Sequence, residues 1–585
     1  MPGPCCFHVS ETAVIINNRI FNPYLPSLQS LFTLSSILIS LWLWLTNLWQ
    51  RYNSALGPPT TTVDKEKYDH CLKDLFVTNP TDDKTRIEEV KGGLLEGTHE
   101  WIFTDQAFCR WSTSAASLLC IEGGPGKGKT MLSISIIDQL ETRVPQLQKG
   151  KHDDFWSNPQ DPILLYFFCQ ATDMHVNNAT SVFRSLLHQL VSKRPPLSSD
   201  LVREYQVAGD KLFRDGNAPT ALSRLLNKML WDDGLKRVYI VVDALDECET
   251  GLSKLLKLIT DNASNHRVKW VVASRKSEVI TKGLEAASPI ILNMEEPATI
   301  VHISNAVKLF IDTRISGLPI SRYGTATRDR LRNILHQRAE DTFLWVAIVW
   351  RELEGAVNVI EVAEGMPKGL GKLYDRAMGR LEGLGRSDSD FCRRVLSTAT
   401  LAYRPIHISE IGLLAGLPDD ISSNVEIVRE IVNRCGSLLL VRKDRVYIIH
   451  QSAKTYLAES PALGASNMKT HHIIFKGAIE GMRKHLRRDI YGLGLNTIIS
   501  EGVTAPDPDP LTPIKYSVDH WVDHLQQSQD SGGFRDGAHI HDFLKSNLLL
   551  WIEAVSLSGE PHLLWAGMSR LERMLRVSKP FKKQH

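Results

Sequence analysis

Short apolar runs separated by helix-periodic stretches fill the first half of the chain. Leu118, Leu119, Cys120 and Ile121 run into a glycine-rich turn, after which Met131, Leu132, Ile134, Ile137 and Leu140 recur at helical spacing. That pattern predicts strand, loop and helix. Further strand-like runs lie at 163–169, 238–242, 268–273 and 290–292, each set off by helical pattern. Alternating β and α units predict a parallel sheet with helices on both faces. Upstream, residues 71–111 read as short helices, with Thr85 and the following Glu88 and Glu89 resembling a capped start.

After residue 300 strand patterns nearly vanish. Residues 301–311, 331–353 and 370–384 read as helices and 391–417 as a helical pair. Two apolar runs, 438–441 and 446–449, flank a charged turn at 442–445 and predict a hairpin, so helices plus one small hairpin point to a winged-helix unit. The alternation of proline and aspartate at 506–510 marks a linker into a final helical segment, in which 543–551 reads as core. The expected organisation is an N-terminal segment (1–60), a helical lead-in (65–112), an α/β domain (113–300), a helical domain (301–385), a winged-helix-like domain (386–460) and an α-helical C-terminal region (461–585). No period of 20 to 50 residues recurs, which excludes a solenoid or propeller.

Composition adds boundaries. At 585 residues the chain is multidomain, and 43% hydrophobic with 23% charged residues is ordinary for folded protein. Lys plus Arg at 68 against Asp plus Glu at 66 leaves +2, which announces no specific nucleic-acid partner. The nine cysteines form no CxxC pair and fit a reduced, cytoplasmic setting. One segment departs from this picture: 28–49 is rich in Leu, Ile and Trp and long enough for a membrane span, which takes about 20 apolar residues. Trp42, Trp44 and Trp49 followed by Arg51 resemble an interfacial belt; a buried amphipathic helix explains the same pattern. Cys5 and Cys6 offer acylation sites, whereas Pro2 excludes a myristoylation signal. The basic cluster Arg483, Lys484, His485, Arg487 and Arg488 reads as a solvated helix face.

The chemistry concentrates at Gly123-Gly124-Pro125-Gly126-Lys127-Gly128-Lys129-Thr130, which satisfies GxxxxGK[ST] between an expected strand and an expected helix. Glycines let successive N–H groups converge on phosphate oxygens, and the helix N-terminus adds partial positive charge. Lys129 would reach the β and γ phosphates of ATP or GTP, and Thr130 would place its hydroxyl on Mg²⁺. The strand 238–242 then ends in Asp243, positioned to hold the metal's water shell. Asp246 or Glu247 would polarise the attacking water. A further strand ends in Ala273-Ser274-Arg275, whose guanidinium matches phosphate geometry; a surface ion pair is the alternative for Arg275.

The order P-loop, Asp243-Ala244-Leu245-Asp246-Glu247-Cys248 and Ala273-Ser274-Arg275 resembles the NACHT class of STAND signalling NTPases, in particular the fungal vegetative (heterokaryon) incompatibility branch. Residues 82–89, the following Gly92-Gly93-Leu94-Leu95, 167–172 and 516–525 are similar to that branch too, and the resemblance spans about residues 65–585. It implies an α/β P-loop NTPase domain followed by helical and winged-helix units and an α-helical C-terminal region. It also implies a switch in which diphosphate holds the units closed and triphosphate opens them to self-associate. By the same analogy His450 corresponds to a winged-helix histidine that touches the diphosphate, and Pro367 to a proline near the base. Members commonly carry an N-terminal effector domain and a C-terminal repeat array; about 60 residues precede the region of resemblance and no array follows it, which leaves the effector partner and the activating ligand open. Segment 28–49 would then be a candidate output acting on membranes. A small-molecule kinase or a non-hydrolysing scaffold are the competing readings; a kinase would need an acceptor site and lid, for which no motif is present, and intact Lys129, Thr130, Asp243 and Glu247 speak against a scaffold.

Overall fold

Five strands, β1 (Leu118–Glu122), β2 (Ile163–Phe168), β3 (Val238–Asp243), β4 (Val268–Ser274) and β5 (Ile290–Asn293), form an all-parallel sheet in the order β2-β3-β4-β1-β5. Every residue of β2 and β4 is buried, which is why β2 reads as an unbroken apolar run and β4 as one interrupted by Lys269, whose Nζ donates to the carbonyls of Trp111 and Ser114, both at 2.7 Å. Trp270 of β4 is wholly buried at the sheet's centre, beside Leu118 of β1 and Ile240 of β3. Helices cover the sheet, as the alternating pattern predicts. The computed structural model describes residues 65–114, 117–146, 162–319, 323–354, 356–460, 467–494, 505–528, 539–558 and 561–578. They divide after Arg376 into two compact units, the cut falling inside the helix Leu370–Glu382.

In the first unit, helix α1 (Pro80–Lys91) precedes the sheet. Asn79 caps it, its side chain accepting from the Thr81 N–H at 3.1 Å, and Pro80 fits the first turn because no N–H is needed there. The expected start at Thr85 is corrected: Thr85 lies mid-helix and its hydroxyl donates to the Thr81 carbonyl one turn back. Gly92, at φ +94, ends α1, its N–H reaching the carbonyls of Glu88 and Glu89. Helix α2 (Lys129–Gln146) follows the glycine loop. After β5 come α3 (Pro297–Ser316), α4 (Thr325–Arg338) and α5 (Phe343–Glu354). The single helix expected over 331–353 is therefore two. Glu340 and Asp341 adopt left-handed backbone conformations, φ 45 and 56, and break it without any Gly or Pro to signal the break.

The second unit carries the helices Arg386–Leu401, Ile408–Leu414 and Val425–Arg434, with a three-stranded antiparallel sheet of β6 (Ile406–His407), β7 (Leu439–Arg442) and β8 (Arg445–Ile448). The β7–β8 turn places Lys443 and Asp444 at φ 45 and 57, matching the twist of a tight hairpin. The hairpin lies where the two apolar runs and the charged turn predict it; β6, inside the stretch read as a helical pair, carried no pattern of its own. Helices α6 (Asn467–His485) and α7 (Lys515–Ser528), then His539–Leu557 and Pro561–Ser578, complete the helical C-terminal region.

Residues 516–525 contribute to the core of the second unit. On α7, Tyr516, His520, Trp521 and His524 are buried. Tyr403 donates its N–H to Tyr516 Oη (3.1 Å), Tyr516 Oη lies 2.8 Å from His524 Nε2, and His524 Nδ1 lies 2.7 Å from His471 Nδ1. Burial pushes the pKa of both histidines down, so neutral rings complete this chain. The buried Glu410 accepts the N–H groups of Tyr516 (3.0 Å) and Ser517 (3.1 Å), one on each carboxylate oxygen. Glu410→Gln keeps the volume but turns one acceptor into a donor facing an N–H, so it should cost about 1–3 kcal/mol. Denaturant unfolding of the two proteins side by side measures this; equal midpoints would refute it.

The segment 28–49 and Cys5 and Cys6 lie outside the described residues, and among the described residues no helix is long and apolar enough to cross a membrane. The seven described cysteines are all free.

Candidate nucleotide site

The site is built at the C-terminal edge of the parallel sheet, where β1, β3 and β4 end together. β4 lies between β1, which leads into the glycine loop, and β3, which ends in Asp243. Sequence order could not show this insertion, because neighbours in a parallel sheet are set by crossovers. It brings the residues that follow β4 between the loop and the acidic cluster.

Within the loop, Gly126 and Gly128 take φ +75 and +99, conformations that glycine alone adopts without strain. A Cβ on Gly126 would also stand 2.6 Å from the Leu344 Cβ and 2.9 Å from Thr342 Cγ2. The turn between α4 and α5 thus lies directly on the loop, and Lys127 Nζ donates to the Glu340 carbonyl at 3.1 Å. The left-handed pair Glu340 and Asp341 is what aims this turn. On the opposite side the Gly124 N–H donates to Glu295 Oε1 at 3.0 Å, a carboxylate held by one of the loop's own anion-binding amides. Glu295 sits just past β5 and carried no motif.

Lys129 Nζ donates to the carbonyls of Gly123 (2.6 Å) and Gly124 (2.9 Å). Burial lowers its pKa, opposed by Asp246 and Asp243. Asp243 is buried at the end of β3; its Oδ1 accepts from the Ser133 hydroxyl at 2.9 Å, and Thr130 also hydrogen-bonds to it. Burial pushes the Asp243 pKa up, with Lys91 the largest opposing charge. Ala244, next in the chain, adopts φ 53, a left-handed strain that turns Asp246 and Glu247 back along the edge of the sheet. Glu247 Oε2 accepts the Ala171 N–H at 2.8 Å, and burial raises its pKa to about 7 despite that bond.

Arg275 is held by Asp246. Its Nε lies 2.9 Å from Asp246 Oδ2 and its N–H donates to Asp246 Oδ1 at 2.9 Å, while Nη2 is 3.9 Å from Glu247 Oε1. The structure thus realises the ion-pair alternative while keeping Arg275 in the cluster. Gln170 adds a buried amide nitrogen with no hydrogen-bond partner, next to the Ala171 that holds Glu247. Pro367 is tied to the same neighbourhood: its carbonyl accepts from Trp345 Nε1 at 2.9 Å, and Trp345 stands in the first turn of α5. His450 belongs to the second unit, where its Nδ1 accepts the Ser452 N–H at 3.1 Å and caps the helix Gln451–Glu459.

Oxygen ligands from Thr130 and Asp243 suit Mg²⁺, which takes one or two carboxylates together with substrate phosphates. Among the described residues no set of three or more His, Cys, Asp or Glu side chains gathers for a metal.

A parallel sheet with a glycine loop at its edge, a lysine and threonine opening the next helix and a buried aspartate ending a neighbouring strand define a P-loop NTPase fold. Residues 97–275 match the family described as Nephrocystin 3, N-terminal. The chain is also 38% identical over 525 residues to Vegetative incompatibility protein HET-E-1 of Podospora anserina, an alignment covering 84% of this chain and 37% of that protein. Together these bear out the resemblance: the chain is similar to the NACHT-type fungal vegetative incompatibility proteins. It spans about 37% of the length of that relative. Among solved structures, the Orc1 protein of Aeropyrum pernix, solved with DNA, aligns over 68% of this chain and 97% of its own at 16% identity and a TM-score of 0.28. A Walker-type ATPase of Pyrococcus abyssi aligns over 59% and 92% at 12% identity and a TM-score of 0.26. Likenesses this loose bear on neither fold nor function.

Proposed function

We propose that the chain is a nucleotide-dependent signalling switch. It binds ATP or GTP with Mg²⁺, hydrolyses it slowly to reset, and self-associates in the triphosphate state as part of fungal non-self recognition or programmed cell death. The observation that carries the reading is the juxtaposition of Lys129, Thr130 and Asp243, joined by the hydrogen bonds of Thr130 and Ser133 to Asp243, with Glu247 and the Asp246–Arg275 pair alongside.

In this reading the amides of Gly124 and of 126–130 bind phosphate oxygens, and Lys129 leaves the carbonyls of Gly123 and Gly124 to pair with phosphate. Thr130 and Asp243 would hold Mg²⁺, which when bound neutralises charge developing on the phosphates. Glu247 accepts the proton of the attacking water, and burial near neutrality suits it to that task. Arg275 offers its guanidinium to the terminal phosphate while Asp246 orients it. Pro367, through α5, and His450, by analogy, would report nucleotide state to the helical and winged-helix elements.

Mass spectrometry of nucleotide released from the purified, denatured protein identifies the base. Calorimetry with Mg-ATP and Mg-GTP then measures affinity, and sedimentation measures assembly. Lys129→Ala should weaken triphosphate binding about 10- to 100-fold and abolish triphosphate-dependent assembly, because a charge-assisted phosphate contact is lost. If the folded wild type binds neither nucleotide, the reading fails. If it binds but phosphorylates an added acceptor without changing size, the kinase reading replaces it.

A further inference from the structure

Helix α1 ends at the nucleotide site. Thr81 Oγ1 lies 3.3 Å from the Tyr166 hydroxyl, whose residue is midway along β2, whereas Arg86 Nη1 lies 3.3 Å from Oε1 of Gln170, beyond the end of β2. The helix therefore advances with β2 toward the edge of the sheet that carries the glycine loop. Near its start, Lys84 pairs with Asp138 and, at 3.0 Å, with Glu141, both on α2. Since α2 runs away from that edge, the two helices are antiparallel.

This geometry fixes where the next lysine goes. Lys84, Ile87 and Lys91 share one helical face, and Ile87 is buried. Two turns beyond Lys84 is a shift of about 10 Å, and from Asp138 back to Thr130 along α2 is about 12 Å. Lys91 thus comes level with the phosphate-binding end of α2. Its residue surface is exposed, yet protein surrounds its ammonium closely enough to lower its pKa, and the charges opposing that shift are Asp243 and Glu247. Gly92 lets the chain turn immediately afterward, where a Cβ would stand 2.4 Å from Arg314 Nη2 of α3. Lys91 is the third cation of the cluster, after Lys129 and Arg275, and it faces the two carboxylates assigned to metal and attacking water.

Resting on the nucleotide-binding reading, we propose that Lys91 contacts the terminal phosphate of a bound nucleoside triphosphate and makes the site prefer triphosphate over diphosphate. A residue on the side of Glu247 meets the outermost phosphate, so a diphosphate leaves its charge without an anionic partner other than the site's own carboxylates. The lead-in helix would in this way be part of the sensor that distinguishes the two nucleotide states.

Calorimetry on the full chain with Mg²⁺ tests this, using a non-hydrolysable triphosphate analogue and the diphosphate of whichever purine the wild type binds, for wild type, Lys91→Ala and Lys91→Arg. Lys91→Ala should weaken the triphosphate analogue about tenfold and the diphosphate less than about twofold, and Lys91→Arg should restore most of the difference. An unchanged ratio of the two affinities overturns the proposal, as does an equal loss of both, which marks a structural role. Absence of binding by the wild type would instead bring down the nucleotide-binding reading itself, and this inference with it. Unfolding midpoints of the variants within a degree or two of wild type establish that the comparison is between folded proteins.

Discussion

Glu247→Gln should bind Mg-triphosphate as the wild type does and hydrolyse it about 10²- to 10⁴-fold more slowly, the span that a positioned general base supplies. The substitution preserves volume, and a carbonyl oxygen on Gln can still accept the Ala171 N–H, so the loop should stay in place. What is lost is the proton acceptor. Burial raises the Glu247 pKa to about 7, and a base must be ionised to act. Wild-type hydrolysis should therefore fall about tenfold per unit of pH below about 7 and level off above it. Single-turnover hydrolysis across pH 5.5–8.5 with affinity measured alongside checks both statements. Unimpaired turnover in Glu247→Gln, with turnover lost in Asp246→Asn, would move the base to Asp246 and free Arg275 from its role of phosphate contact.

Asp243→Asn should separate stability from function. The Asp243 carboxylate is buried and its pKa is raised, so the folded protein holds its proton more tightly than the unfolded chain does. A group of that kind supports the fold at low pH and loses its contribution as pH rises above the ordinary carboxylate range. Asn removes the buried charge and keeps an oxygen for the Ser133 hydroxyl, now 2.9 Å away. The unliganded protein should be as stable as wild type at pH 7 or more so, and stability should decline less with rising pH. Mg²⁺-dependent nucleotide affinity should fall at least about 100-fold, since even outer-shell changes at metal sites cost 10- to 100-fold. Thermal melts with and without Mg-nucleotide show both effects: an unliganded midpoint held or raised, and a ligand-induced shift abolished. A clear drop in the unliganded midpoint would mean that the pairing of Asp243 with Lys91 and Lys129 outweighs its desolvation.

Much of the site was legible because its parts are local. The glycines, Lys129 and Thr130 are consecutive, and the positive φ of Gly126 and Gly128 is a requirement of those few residues alone. Asp243 was legible because a largely buried strand must end somewhere, and a carboxylate at such an end stands out. The hairpin 439–448 was readable for the same reason, two apolar runs and a charged turn. Readings failed where a local signal was outvoted. The periodicity through 331–353 gave no break, yet Glu340 and Asp341 are left-handed and the Glu340 carbonyl accepts from Lys127 of the glycine loop. Thr85 looked like a cap, but Asn79 and Pro80, six and five residues earlier, were the stronger start. The stretch 516–525, similar to the family, places Tyr516 and His524 in a buried polar network of the second unit, which no local pattern announced.

By itself the sequence determined most of the segments that become strands and helices, that the strands of the five-stranded sheet run parallel, and which side chains could hold a phosphate and its metal. Those properties follow from periodicity and from bond geometry over a few residues. Only the tertiary structure decided that β4 separates β1 from β3, that Glu295 and the 340–344 turn close on the glycine loop, that Asp246 holds Arg275, and that α1 delivers Lys91 to Asp243 and Glu247. The reason is physical: strand order and the meeting of distant charges depend on how buried surfaces pack against each other, and residues far apart in sequence carry no spacing that encodes it.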